Sequence, residues 1–146
     1  IRHHGSWKDF LYNLETVRKL DHKISFNMLH FILNHNSIHG CVDLLKGKGF
    51  HDNSFVIGPL FTPAYYNTLH LPEHMLESTK NLLKERLNSN PLGYLKNSYE
   101  NCLKYLSETE WKKDINSFHK NTQILDQRRG LDSKKIFPKL FEGLDA

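Results

Sequence analysis

Long apolar runs are missing from this chain, and none approaches the roughly 18–20 residues that a membrane-spanning helix needs. The start also lacks the charged, apolar, small-residue order of a signal peptide. Cysteine is scarce: Cys41 and Cys102 cannot build a disulfide framework. Each sits among helix-patterned residues, so buried thiols in a reducing cytoplasm are the expectation. No Gly-x-Ser-x-Gly elbow and no glycine-rich phosphate loop occurs, which removes the commonest hydrolase and nucleotide-loop signatures. No long block of one charge is present either. The net charge of +4 comes from lysines interleaved with acids, apart from Arg128, Arg129, Lys134 and Lys135. That pattern reads as a solvated surface, and nucleic-acid binding is not indicated. An initial Met is lacking too. "IRHHGSW" reads like an internal stretch, and a segment of a longer protein is expected.

What is there is ordinary globular composition, 38% apolar and 25% charged over 146 residues, enough for one domain with a core. Ser6 followed by Asp9 resembles a shortened capping box. Trp7, Phe10, Leu11, Leu14, Val17 and Leu20 then keep helical spacing, so residues 6–20 read as a helix. Residues 23–33 are apolar on both alternating faces, as in a parallel strand covered from both sides. Asn36-Ser37 caps the next helix, which carries Ile38, Cys41, Val42, Leu44 and Leu45 inward and stops at Lys48-Gly49. "SFVIGPLF", residues 54–61, is a second short strand. Pro72 opens another helix, Pro91 starts a further one, and a last helix runs from about Trp111 to Leu125 before Gly130. "LDSKKIFPKLF" reads as an extended tail that tucks in Ile136 and Phe137.

The order helix, strand, helix, strand, helix and helical tail argues for an α/β fold with parallel strands joined by crossover helices. Two parallel strands are not stable alone, so sheet partners are expected from upstream or from another chain. Asn34, His35 and Asn36 follow the first strand, at the edge where parallel α/β folds hold their ligands. Amides there can donate and accept, which suits a ribose, a carboxylate or an adenine edge. Asn36 and Ser37 also serve simply as helix caps.

The stretch "IRHHGSWKDFLYNLETVRKLDHKISFNMLHFILNHNS" resembles the middle of a radical S-adenosylmethionine protein. In that superfamily an Arg shortly precedes a "W…F…NL" helix, and the next strand ends in Asn. "GFHDNSFVIGPLFTPAYYNTLHLPEHM" is similar to the family's sixth barrel strand with its following loop. "LDQRRGLDSKKIFPKL" is similar to the ending of members with a shortened, "twitch"-type C-terminal extension. The resemblance implies a partial (β/α)6 TIM-like barrel whose last strands and helices occupy residues 1–90, with a helical extension over 91–146. It implies S-adenosylmethionine cleaved reductively at a 4Fe–4S cluster, which starts radical chemistry on a substrate such as a peptide or small molecule. An electron donor such as flavodoxin or ferredoxin is implied with it. The family's Cys-x3-Cys-x2-Cys motif is not in this sequence, so the cluster ligands are expected in a missing N-terminal part and the segment alone is expected to be inactive. No auxiliary cluster is expected.

Carried over residue by residue, Arg2 is expected at the cofactor's methionine carboxylate, as a guanidinium would be. Asn34 is expected near the ribose, with Asn36 beside it, and Phe61 toward the adenine through its ring or backbone. A surface arginine and a core phenylalanine are the plainer readings of Arg2 and Phe61. No catalytic residue and no metal ligand is assigned. His35 and His39 lie four apart, but His35 precedes the helix start and no Cys or carboxylate completes a zinc set. His70 and His74 straddle Pro72. The competing class is a non-catalytic α/β interaction module without a cluster, using aromatics such as Tyr65 and Tyr66. The charged turn of Asp126, Arg128 and Arg129 could clamp an anion or simply end a helix.

Overall fold

The computed structural model describes residues 6–20, 22–111 and 113–142. It is a mixed α/β structure, mostly helical, with one small parallel sheet. Helix α1 (Trp7–Arg18) begins at Ser6, whose hydroxyl accepts from Asp9 N–H. Strand β1 (Phe26–His30), helix α2 (Ile38–Gly47) and strand β2 (Phe55–Pro59) follow, then α3 (Glu73–Asn88), α4 (Gly93–Glu108), α5 (Ile115–Arg129) and α6 (Ser133–Ile136). Among the described residues no helix is long and apolar enough to cross a membrane.

β1 and β2 pair in parallel with Phe26 opposite Phe55 and His30 opposite Pro59. Phe26, Met28, His30, Phe55 and Ile57 turn to the core, and the Phe26 and Phe55 rings stack at 5.4 Å. The opposite face is bare: Leu29 is 54% exposed, Val56 is 41% exposed, and open space surrounds Gly58 where a Cβ would stand. Parallel sheets are ordinarily covered on both faces.

The two edges of the sheet also differ. Leu60 N–H donates to the His30 carbonyl at 2.9 Å, which fixes the alternation of the ladder. Ile57 therefore points its backbone away from β1. There Ser98 Oγ on α4 accepts from Ile57 N–H at 2.9 Å, and the Cys102 thiol faces the Ile57 carbonyl at 3.9 Å. Pro59 falls on the same outer edge, where its missing N–H leaves no gap in the ladder. β1 presents Asn27 and Leu29 at its outer edge, and no strand pairs there among the described residues.

α4 is tied to the sheet at its start as well. Asp52 Oδ2 accepts from Leu92 N–H at 2.8 Å, and Asn53 Oδ1 accepts from Tyr94 N–H at 3.2 Å. Gly93 permits this approach: its φ is +51°, and a Cβ would stand 1.7 Å from Asn53 Oδ1. The first helix of the 91–146 stretch thus packs directly on the β2 unit.

Three expectations shift. β1 stops at His30 rather than Leu33, because Asn34 turns the chain. α5 starts at Ile115 rather than near Trp111, because Asp114 caps it by accepting from Ser117 N–H at 3.0 Å. Trp111 instead packs edge-on against His70. The tail is not extended: Asp132 caps the short α6, and a 3-10 turn at Pro138–Phe141 follows. That turn buries Leu140 and Phe141, while Ile136 is 60% exposed and Phe137 half-buried.

Replacing Ser98 by Val would keep the shape but leave Ile57 N–H buried without an acceptor. The expected loss is about 1–3 kcal/mol, read from urea unfolding. A change within a few tenths would mean that the edge is not held by this hydroxyl.

Candidate functional site

The carboxyl ends of both strands lie on one rim, as parallel pairing requires. Asn34 stands there, and both ends of its amide bond the backbone. Its Oδ1 accepts from Phe31 N–H at 2.8 Å and its Nδ2 donates to the Leu29 carbonyl at 2.7 Å. Its own carbonyl accepts from Ser37 and Ile38 N–H. These bonds account for an Asn at this position without a ligand. Asn36 is exposed and lines a shallow cleft with His74, Glu77 and Ser78 of α3. Ser37 stands at the start of α2, but its side chain makes no capping bond. Phe61 is 60% exposed and rests edge-on against Tyr105 of α4 at 5.3 Å. That excludes a core phenylalanine and leaves a ring free to stack. Arg2 lies outside the described residues. The structure therefore does not gather the expected residues into one site: Asn36 faces α3 and Phe61 faces α4.

Toward the implied cofactor the fit is partial. An exposed Phe61 ring and an Asn36 amide suit a purine and a ribose, whereas Asn34 already spends one donor and one acceptor on the backbone and keeps one N–H and one lone pair. A 4Fe–4S cluster does not fit the described cysteines. Cys41 and Cys102 are free thiols on separate helices, and burial raises both pKa values, Cys102 to about 12. Cluster ligation needs thiolates converging on one point. Among the described residues no group of three or more His, Cys, Asp or Glu is placed to hold a metal ion.

What sequence reasoning missed is a histidine cluster beneath the rim. His30 ends β1 on its core face, His35 sits in the turn and His39 lies in the first turn of α2, all three buried. His30 Nε2 contacts the His35 carbonyl at 3.2 Å, and His35 Nδ1 contacts the Ile32 carbonyl at 2.8 Å. His30 Nδ1, His35 Nε2 and both nitrogens of His39 have no partner. The spacing of His35 and His39 was visible, but His30 joins them only because β1 ends with His30 facing inward. Burial lowers the pKa of His30 to about 4, aided by the nearby His35 and opposed by its backbone contact. His39 falls to about 4 through burial, then Arg86 and His30, against Asp43. His35 is lowered by burial as well.

No family model, curated protein or solved structure matches the chain.

Two measurements follow from this geometry. Asn34→Ala is expected to cost about 1–2 kcal/mol in urea unfolding, since two backbone partners are lost. An unchanged midpoint would return Asn34 to the ligand-binding candidates. The histidines set a pH dependence. Their folded pKa values lie below the free value of 6.5, so the unfolded chain binds more protons as pH falls below it. Stability is then complete above about pH 6.5 and declines toward pH 4, on the order of 3 kcal/mol each for His30 and His39. Unfolding midpoints compared at neutral and acid pH check it, and a flat profile would refute the buried neutral cluster.

Proposed function

We propose that the chain forms the closing strand–helix units of a partial (β/α)6 barrel of the radical S-adenosylmethionine type, with cluster ligation supplied by an upstream region. The single observation behind this reading is the one-sidedness of the sheet. The outer edge of β2 is closed by α4, the outer edge of β1 is open, and one face carries only Asn27, Leu29, Val56 and Gly58. In a barrel the helices cover the outer face, and the inner face looks onto residues from the other strands. A sheet finished at β2 and unfinished at β1 is what the last two strands of such a barrel would present. α1, the element before β1, supports the same reading. It buries only Leu14 and leaves Trp7 and Phe10 stacked on each other at 4.9 Å on an exposed face.

In this role the chain's own residues bind rather than react. Phe61 would offer a stacking face at the rim and Asn36 an amide, while Asn34 holds the rim's shape. The substrate, and an electron donor such as flavodoxin or ferredoxin, would meet the assembled protein rather than this segment alone.

The test compares this segment alone with a version extended through the upstream reading frame. The segment alone is expected to bind an apolar dye and melt broadly. The extended chain is expected to carry Cys-x3-Cys-x2-Cys, lose the dye binding and, after anaerobic reconstitution, form 5′-deoxyadenosine from S-adenosylmethionine. A cooperative, monomeric, dye-silent segment with no such motif upstream would favour the interaction module instead.

A further inference from the structure

A cavity of about 530 Å³ opens beside the rim. It is walled by the turn after β1 (Phe31, Leu33), the loop after β2 (Tyr65, Tyr66), α5 and α6 with the residues just after it. Sequence reasoning treated Tyr65-Tyr66 and Arg129 as separate features. The fold brings them to the same space.

The walls are held in place independently of any ligand. Ile32 N–H donates to the Tyr66 carbonyl at 3.0 Å, joining the two rim segments. Across the cavity, Asp126 accepts from Ser133 N–H at 2.7 Å and from Ser133 Oγ at 2.8 Å. Those two bonds fix α6, and so set Phe137 against the opening. The Asp126 carboxylate is thereby occupied within the wall.

Two polar features face this space. The Thr122 hydroxyl lines the cavity, is 1% exposed and has the Tyr66 hydroxyl as its one neighbouring partner, at marginal geometry. A hydroxyl can donate once and accept twice, so a ligand group can add to this contact. Arg129 stands at the exposed end of the cavity and makes no ion pair with any carboxylate among the described residues. Apolar walls with a few convergent polar groups are the ordinary make-up of a small-molecule site.

We propose that this cavity binds a small amphipathic carboxylate, its flat apolar body between Phe31, Leu33 and Phe137, its carboxylate on Arg129 and a hydroxyl or amide on Thr122. A guanidinium takes a carboxylate through paired donors, which favours this anion over an uncharged head group. Apolar walls with a cation at the mouth suit an acid carrying an apolar body. The inference stands on the cavity alone and does not require radical chemistry. If the barrel reading holds, the site lies at the carboxyl ends of the strands, where the substrate of such a barrel belongs.

The probes are 3-phenylpropionate, its 4-hydroxyphenyl analogue and the uncharged 3-phenylpropanol, titrated by NMR and calorimetry into the protein carrying these residues. The acid is expected to bind about tenfold tighter than the alcohol. Amide shifts are expected at Phe31, Tyr66, Thr122 and Arg129. Arg129→Gln, at an exposed position, should abolish the preference for the acid while leaving the melting temperature unchanged. Thr122→Val, which keeps the shape, should remove the advantage of the hydroxylated acid. Equal binding of acid and alcohol would overturn the proposal, as would shifts confined to other surfaces. Failure of the acid to bind or to stabilise the fold would do the same. None of these results depends on whether a cluster motif lies upstream, so this proposal and the barrel reading fail separately.

Discussion

The hydrogen bond from Ile57 N–H to Ser98 Oγ is the contact on which the rest of the structure depends. A two-stranded parallel sheet is a weak object, and its outer backbone groups compete for water. By accepting from the strand edge while donating to the Tyr94 carbonyl at 2.7 Å, Ser98 joins helix and strand through one small side chain. Its size lets α4 approach closely, and Leu95, Tyr99, Cys102 and Leu106 then enter the core around it. Asp52 and Asn53 reinforce the joint at the helix start. α3 packs on α4, and Asn67, in the loop before α3, donates its Nδ2 to the Tyr105 hydroxyl at 2.6 Å.

That joint gives the sheet a direction. The outer edge of β2 is met by α4, whereas no strand pairs with the outer edge of β1 among the described residues. Leu29 and Val56 stand on the bare face of the sheet, and Trp7 and Phe10 on an exposed face of α1. Tyr99 and Cys102, on α4, are buried deeply enough that burial raises the pKa of each to about 12. Both strands end together at the rim. There a ring, an amide and an arginine stay accessible above a layer of uncharged histidines.

Much of the architecture could be read from the chain before any coordinates. The helix–strand–helix–strand order, the Ser6 cap, the Gly130 stop and the buried Cys102 follow from local chemistry and periodicity, and each is present. The parts that were not legible share one cause: a side chain acting on a backbone that sequence distance hides. Asn34 ends β1 because its amide reaches Phe31 and Leu29, and nothing in an apolar run announces that reach. Asp114 starts α5 later than its apolar stripe suggests, and Asp132 makes a helix of a tail that looks extended. The histidine cluster and the Tyr66–Thr122–Arg129 cavity were invisible for the same reason. Each assembles residues from segments that only the folded chain brings together.

The bond from Asn34 Nδ2 to the Leu29 carbonyl has a further consequence for any strand that joins β1. Along that edge a neighbour would find the N–H and C=O of Asn27 and the N–H of Leu29 open, and would have to share the Leu29 carbonyl with Asn34 or displace its amide. Asn34 thus makes the upper end of this edge a poorer place to pair than the part below it.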